Sequence, residues 1–191
     1  MAFDFSHSIW QSKLVRLRAF EPADWEGYHA WNFDDEQSRA LYWIPLPGTG
    51  DRVRRWAEKE AGREREGDNF RFVIEENAEH RLVGDLTLNQ CDARVGSFSY
   101  GVNIARADRG RGYAREAILI ALRYYFGELR YHKVTARVYA FNAASIRLHE
   151  ALGFQKEGQI RDMVFTHGQY YDELVYGLTS DDFRRAFPDW T

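Results

Sequence analysis

The sequence has very few cysteines and no apolar stretch of membrane-spanning length. Cys91 is the single cysteine among 191 residues, so no internal disulfide can form and a reducing compartment is expected. The longest apolar run, residues 117–126, is interrupted by Arg123 and is far shorter than the ~20 residues that a membrane helix needs. Residues 1–10 carry Asp4 and no basic segment, which is not the pattern of a signal peptide. These absences predict a soluble, cytoplasmic protein without a membrane partner.

The chain also lacks an excess of positive charge, an internal repeat and a low-complexity linker. Its 26 lysines and arginines are outnumbered by 29 aspartates and glutamates, giving a formal net charge of −3. Without a basic field, nucleic acid is not an expected partner, and a nucleic-acid-binding domain is the weakest functional interpretation. Apolar residues form 45% of the chain, which is ordinary for a globular protein, so residues 1–191 are expected to form one domain.

Hydrophobic periodicity predicts a mixed α/β order with a crossover helix near its centre. Alternating patterns predict strands at 13–18, 70–75, 81–89, 97–105 and 133–139, followed by a hairpin of 154–166 and 170–178. Helical patterns are predicted at 21–31, 52–66 (capped by Asp51), 114–125 and 142–152 (ended by Gly153). The helix at 114–125 has apolar residues every three to four positions, so it should pack on a sheet.

The most informative segment is Arg109-Gly110-Arg111-Gly112-Tyr113-Ala114, between a predicted strand and this amphipathic helix. Its two glycines allow a ligand to approach the backbone because no Cβ intervenes. The helix start leaves N–H groups unpaired, and such groups bind anions, for example the phosphates of a nucleotide-like coenzyme. Arginines 106, 109, 111 and 115 cluster here and suit phosphates, although arginine is also ordinary at helix starts.

Three motifs in matching order resemble those of the GNAT N-acetyltransferase superfamily. Ile104-Ala105-x-x-x-Arg109-x-x-Gly112-x-Ala114 resembles the acetyl-CoA pyrophosphate motif, Gln/Arg-x-x-Gly-x-Gly/Ala. Residues 142–154 resemble the second motif, Asn-x-x-Ser/Ala-x-x-Leu-Tyr-x-x-x-Gly-Phe, and the turn at 167–172 is similar to that of RimJ/RimL-like and spermidine acetyltransferases. The resemblance covers about 82–178. It implies the GNAT fold, an α/β (α+β) architecture with a mixed central sheet, a splayed strand pair and flanking helices.

The resemblance further implies an acetyl-CoA-dependent N-acetyltransferase that passes the acetyl group directly to a primary amine, with no metal. The pyrophosphate would lie on the N–H groups of 110–114, and the splayed strand would pair with the pantetheine amides. An N–H of Val102 or Ile104 would polarise the thioester carbonyl. The implied coenzyme-binding residues are Val102, Ile104, Ala105, Arg109, Gly110, Arg111, Gly112, Tyr113, Ala114, Asn142 and Ser145.

Two residues of the second motif compete as proton donor to the departing thiolate. Asn142, Ser145 and His149 are spaced by three and four, so they share one side of their predicted helix. His149 stands where the superfamily often has a tyrosine acid; a neutral imidazole donates only in the right tautomer. Ser145 is the rival, since RimL-like members also place serine there. A third alternative gives neither residue a catalytic role, with His149 covering the helix surface and Ser145 packing.

The general base is left open by the sequence. RimJ/RimL-like members often carry glutamate at the position of Ser99. Asp85, on a neighbouring predicted strand, is a candidate base acting directly or through water, and the alternative is a surface carboxylate without a role. Orientation alone supplies much of the rate of such reactions, so water-relayed deprotonation is a third route. The missing glutamate and tyrosine keep a non-catalytic acyl-CoA-binding regulatory module as the alternative function.

No motif identifies the acceptor amine. The aromatic loop 41–45 would border the acceptor site in the family layout, or its Tyr42 and Trp43 would join Trp25 and Trp31 in a small secondary core. The charged run 58–66 would either attract a polyamine or form a solvated helix face. A protein N-terminus, a polyamine, an aminoglycoside-like antibiotic and another small amine are all candidate acceptors. Homodimers are common among similar proteins, so a second copy is a candidate partner.

Overall fold

A seven-stranded mixed sheet forms the centre of the computed structural model, which describes residues 7–41, 44–64 and 66–190. The spatial order of the strands is β1-β2-β3-β4-β5-β7-β6. Only the β4–β5 pair is parallel among these neighbours. The strands are β1 (Val15–Ala19), β2 (Phe70–Glu76), β3 (Arg81–Asp92), β4 (Ser97–Ile104), β5 (Lys133–Tyr139), β6 (Gln155–Thr166) and β7 (Gln169–Thr179).

Six α-helices are present in the described part of the chain, two more than the periodicity predicts. They are α1 (Trp25–Trp31), α2 (Asp35–Ala40), α3 (Gly50–Ala61), α4 (Tyr113–Gly127), α5 (Ala143–Ala151) and α6 (Ser180–Ala186), with 3-10 turns at Pro22–Asp24, Arg106–Asp108 and Pro188–Trp190. Helices α2 and α6 have only six and seven residues, too few for a hydrophobic period to show. No helix within the described residues combines the length and apolar character needed to span a membrane.

The bounds predicted for α3 were wrong at both ends. Thr49, not Asp51, caps the helix: its backbone is extended and its hydroxyl accepts a hydrogen bond from the backbone N–H of Arg52 at 3.3 Å. The helix ends at Ala61, followed by Gly62, rather than continuing to Glu66. Residues 62–64 and Glu66 of the charged run are therefore not helical.

Helix α4 supplies the centre of the hydrophobic core, as its apolar stripe predicts. Its residues 117–122 are all buried, together with Tyr125 and Phe126. The buried surface is wider than one stripe because the sheet covers one side and later segments cover another; the ring of Phe126 lies 5.7 Å from that of Phe183 in α6. Such packing on both sides fixes the start of α4 relative to the sheet.

Strands β4 and β5 separate soon after they pair. Their parallel register covers only Ser97 to Ser99 against Lys133 to Thr135. Beyond that point β4 stays with β3, while β5 stays with β7 as far as Tyr139. The first half of the apolar face of β4, Phe98 and Tyr100, is buried in the core, and the second half lines the gap. The splayed pair expected from the resemblance is present.

Candidate active site

The separation of β4 and β5 opens a cleft of about 820 Å³, within the usual size range of small-molecule sites. One wall is the end of β4 and the glycine loop before α4. The opposite wall is the start of α5, and α2 and the β6–β7 turn border the cleft as well. The residues that line it include Glu36, Gln37, Leu41, Val102, Asn103, Ile104, Asp108, Arg109, Gly110, Gly112, Tyr113, Ala114, Phe141, Asn142, Ser145, His167 and Tyr171.

The glycine loop has the backbone geometry of an anion cradle. Gly110 and Gly112 have φ values of 77° and 85°, a left-handed conformation that disfavours any side chain. Apart from its chain neighbours, no described residue has an atom within 4 Å of where a Cβ of Gly110 would be, and Leu14 Cδ1, at 3.4 Å, is the one such atom near that of Gly112. Gly112 is the N-cap of α4 and provides no side-chain cap for the first helical turn. These features fit the pyrophosphate of a nucleotide coenzyme.

An ion pair between a half-exposed arginine and a buried carboxylate precedes the loop. The side chain of Arg81 donates to both carboxylate oxygens of Asp108, at 3.0 and 2.9 Å. Asp108 is only 4% exposed and stands directly before the loop. Bidentate arginine–carboxylate pairs are geometrically specific, so this contact fixes where the loop begins.

Not every predicted coenzyme residue lines the cleft. Val102, Ile104, Arg109, Gly110, Gly112, Tyr113, Ala114, Asn142 and Ser145 do. Arg111 points elsewhere: it donates to the carbonyl of Ala107 at 3.2 Å and lies 3.9 Å from Asp108. Ala105 is the N-cap residue before the 3-10 turn and is not part of the lining. Of these two arginines, Arg109 is therefore the one whose positive charge is available to a phosphate in the cleft.

Helix α2 places a carboxylate against the arginines of the loop. Glu36 forms an ion pair with Arg106, and its Oε1 lies 3.7 Å from Nη1 of Arg109. Asp34 also contacts Arg106, at 3.3 Å. A carboxylate in this position competes with a phosphate for the same guanidinium groups.

Glu36→Gln is expected to tighten acetyl-CoA binding about two- to fivefold, because it removes this competitor. The gain is small because Glu36 is 67% exposed, and exposed ion pairs contribute at most about 1 kcal/mol. Calorimetric titration at low salt measures it. Asp35→Asn, which makes the same charge change on an exposed residue of the same helix, should leave the affinity unchanged. Equal or weaker binding by Glu36→Gln would contradict the competition.

The first turn of α5 presents Asn142 and Ser145 to the cleft. The side-chain oxygen of Asn142 accepts from the backbone N–H of Ser145 at 3.0 Å, which makes Asn142 the N-cap as predicted. The Oγ of Ser145 lies 3.3 Å from Nδ1 of His149. Ser145 thus brings a hydroxyl to the cleft wall, and the imidazole of His149, which does not line the cleft, lies next to that hydroxyl.

His149 is turned away from the cleft into the core. It is 3% exposed, and its Nδ1–H donates to the carbonyl of Ser145 at 2.8 Å. Its Nε2 is buried and has no hydrogen-bond partner among the described residues. Its ring stacks between Tyr100 and Tyr176 at centroid distances of 5.8 and 6.0 Å. The i, i+4 spacing suggested a shared face, but His149 is the one buried residue of α5, whereas Ser145 is only half-buried and lines the cleft. An acid role for His149 remains a prediction.

Burial lowers the pKa of His149 because the charged imidazolium loses its hydration. The unfolded chain therefore takes up this proton at a higher pH than the folded one. Stability should fall as the pH drops below about 6.5, by up to about 1.4 kcal/mol per pH unit until the folded pKa is reached.

His149→Phe is expected to remove the part of the pH dependence of folding stability that comes from the lowered pKa of His149. Urea unfolding at several pH values between 7 and 5 should show a shallower loss of stability for this variant than for the original chain. His132→Phe, which replaces an exposed histidine, is the control and should keep the original slope. Identical slopes for His149→Phe and the original chain would contradict a buried neutral imidazole.

Asp85 is buried, so the surface-carboxylate alternative is wrong. Its carboxylate lies 2.9 Å from Nη1 of Arg71 and accepts a hydrogen bond from the side chain of Asn103. Burial raises the pKa of Asp85, and Arg71 and Asn103 partly oppose that rise. Asp85 itself does not line the cleft, whereas Asn103 does. Ser99, where glutamate is frequent in similar proteins, donates to Gln90 at 3.1 Å instead.

The aromatic residues of the first helix form a small core of their own. Trp25, Tyr28 and Trp56 pack around Phe20 and Val73 on the side of the sheet away from the main core. Trp31 joins them through Tyr28, with ring centroids 4.7 Å apart. Within the predicted acceptor loop, Tyr42 and Trp43 lie outside the described residues, and Leu41 lines the cleft.

The charged run 58–66 is engaged mainly in local ion pairs. Glu60 pairs with Arg71 at 3.0 Å, Glu58 with Arg54 at 3.3 Å, and Arg63 with Glu66 at 3.3 Å. Such local ion pairs are typical of a largely solvated helix face. None of these residues lines the cleft. Arg65 lies outside the described residues.

The cleft is also lined by residues outside the predicted coenzyme-binding and catalytic sets. Glu36 and Gln37 belong to the helix that the periodicity missed, and Phe141 precedes a motif instead of belonging to it. His167 and Tyr171 enter through the β6–β7 hairpin, whose turn residues His167 and Gly168 both have positive φ. A positive-φ pair matches the tight hairpin turn that was predicted.

Comparison with known proteins identifies this arrangement. The acetyltransferase (GNAT) domain family matches residues 15–155, so the chain belongs to the GNAT acetyltransferase family. The chain is 40% identical over 176 residues to the SPbeta prophage-derived uncharacterized N-acetyltransferase YokL of Bacillus subtilis, covering 92% of this chain and 96% of that protein. The ribosomal protein uS5 alanine N-acetyltransferase of Escherichia coli is 30% identical over 130 residues, which cover 66% of this chain and 62% of that protein.

A solved structure gives the same assignment. Spermidine N-acetyltransferase from Vibrio cholerae, in complex with CoA and spermine, superposes with a TM-score of 0.77 at 26% identity, covering 90% of this chain and 99% of that one. The fold is therefore the GNAT fold, and the protein is an acetyl-CoA-dependent N-acetyltransferase.

Proposed function

We propose that the protein, as a RimJ/RimL-like enzyme, passes an acetyl group directly from acetyl-CoA to a primary amine within a ternary complex. The observation that carries the proposal is the continuity of the cleft. The glycine loop at one side and Ser145, α2 and the β6–β7 turn at the others line a single space. Donor and acceptor can therefore meet without a covalent enzyme intermediate.

Each coenzyme contact follows from groups on the cleft wall. The N–H groups at the start of α4 and the guanidinium of Arg109 hold the pyrophosphate. The open edge of β4 pairs with the pantetheine amides as an added strand does, and an N–H of Val102 or Ile104 polarises the acyl carbonyl. Bound in this way, acetyl-CoA supplies an activated acyl group and a thiol leaving group.

Ser145 is the proposed proton donor to sulfur. Ser145 lines the cleft, and the proton that its hydroxyl gives up as the C–S bond breaks is replaced from solvent. His149, bonded to the Ser145 carbonyl, fixes the turn that carries this hydroxyl. Water in the cleft takes the proton from the attacking amine. Asp85 acts as a positioning residue, holding Asn103 on the wall.

A thiol-release assay with acetyl-CoA tests the proposal. The panel should hold N-terminal peptides, polyamines, aminoglycosides and simple alkylamines, and at least one should be acetylated in proportion to the thiol released. Tight coenzyme binding without acetylation of any amine would refute the proposed transfer to a primary amine. It would favour a non-catalytic acyl-CoA-binding regulatory module.

A further inference from the structure

A buried glutamine on the wall of the cleft has no partner for its side chain. Gln37 is 2% exposed and lines the cleft. Neither its Oε1 nor its Nε2 has a hydrogen-bond partner in the described part of the chain. Its backbone N–H is used, donating to the Asp34 carboxylate at 3.1 Å as part of the helix cap. Buried polar groups are nearly always paired, so an unpaired carboxamide on a residue that lines a cleft indicates a ligand group.

Helix α2 holds this side chain in a defined place. Glu36 contacts Arg106 and Arg109 at the coenzyme loop. Arg39 donates to the hydroxyl of Thr166, beside the β6–β7 turn, at 3.3 Å. Helix α2 thus contacts both the coenzyme loop and the β6–β7 hairpin. Gln37 lies between the two contacting residues, Glu36 and Arg39, in the sequence. A group bound by Gln37 is therefore held in the same cleft as the coenzyme loop and the end of β4.

The charges of the cleft restrict what that group can be. Among the described lining residues the carboxylates are Glu36 and Asp108, and arginines engage both. No free carboxylate of the described lining remains to hold a second ammonium group of a polyamine. A carboxamide has a hydrogen-bond acceptor, its oxygen, beside a hydrogen-bond donor, its NH2 group. These two groups complement the N–H and the carbonyl of a neutral amide.

We infer that the acceptor is an α-amine followed by a peptide group, as at the N-terminus of a peptide, and that Gln37 is the residue that selects it. The Nε2–H donates to the peptide carbonyl and Oε1 accepts from a peptide N–H. The rings of Phe141 and Tyr171, 5.1 Å apart and both on the cleft wall, are placed to pack against the first side chains. This inference depends on the proposed acetyl transfer.

The experiment compares three acceptors: an alanine-initiated pentapeptide, propylamine and spermidine. Gln37→Met keeps the length of the side chain and removes its hydrogen bonds. It should lower kcat/KM for the peptide about 10- to 100-fold and change that for propylamine less than about threefold. Gln37→Glu should lower the peptide rate similarly and raise the relative rate with spermidine. Gln155→Met, at an exposed glutamine of β6, should match the original chain with all three acceptors.

Thermal unfolding separates recognition from folding. Because Gln37→Met removes an unpaired buried amide, its melting temperature should equal or exceed that of the original chain. A fall of several degrees would make Gln37 a structural residue and overturn the inference. So would an unchanged peptide rate in Gln37→Met, or a preference of the original chain for spermidine. If the original chain acetylates no amine, the proposed function fails, and the inference fails with it.

Discussion

Gly112→Glu is expected to lose at least about a hundredfold in affinity for acetyl-CoA, equivalent to about 2.7 kcal/mol. The new side chain begins at the N-cap of α4, in the concave backbone where the pyrophosphate is proposed to lie. Its carboxylate occupies the helix N-terminus as a phosphate would and repels the coenzyme at short range. Isothermal titration with acetyl-CoA and with desulfo-CoA measures the loss.

Two further variants separate charge from backbone strain. Gly112→Ala places a Cβ at φ 85° without a charge, which costs about 1–2 kcal/mol of stability but should weaken binding far less. Gly127→Glu adds the same charge at the other end of the same helix, where no atom lies within 4 Å of the new Cβ, and should bind normally. A folded Gly112→Glu that binds acetyl-CoA like the original chain would refute the assignment of this loop.

The parts of the site that are local in sequence were predictable. The glycine loop, the apolar period of α4 and the Asn142 cap are each set by residues within a few positions of one another. Their geometry depends little on the rest of the fold, so motif and structure agree. The gap between β4 and β5 is different. Only the resemblance predicted it, because alternation along a strand does not reveal where a neighbouring strand departs.

The remaining features depend on tertiary contacts. The spacing of Ser145 and His149 placed them on one helix face, yet Ser145 lines the cleft while His149 stacks on Tyr100 of β4 and Tyr176 of β7. Asp85 resembled a solvent-facing strand residue, but Arg71 on the adjacent strand and Asn103 enclose it. Gln37 lies on a helix of six residues, too short for a periodic signal. Each of these outcomes requires the packed fold.

Because Ser145 lines the cleft and His149 is buried behind it, the second large expected effect is a loss of turnover on removal of the Ser145 hydroxyl. Ser145→Ala should lower kcat about a hundredfold while changing coenzyme affinity less than about threefold. General acid catalysis often contributes more than this, but a thiol is a good leaving group with an ordinary pKa near 8.5, so the need for a donor is moderate. Steady-state kinetics with the best acceptor of the panel measures the change. Ser145→Thr, which keeps a hydroxyl, should recover most of the rate, and Ser99→Ala should match the original chain.

His149→Phe provides the decisive contrast. The phenylalanine keeps the stacking with Tyr100 and Tyr176 but removes the hydrogen bond to the Ser145 carbonyl. If histidine only fixes the turn, turnover should fall by less than about tenfold, well short of the loss in Ser145→Ala. A loss in His149→Phe equal to or greater than that in Ser145→Ala would transfer the acid role to the imidazole. That outcome would require His149 to reach the cleft during turnover, because its Nε2 is enclosed in the present arrangement.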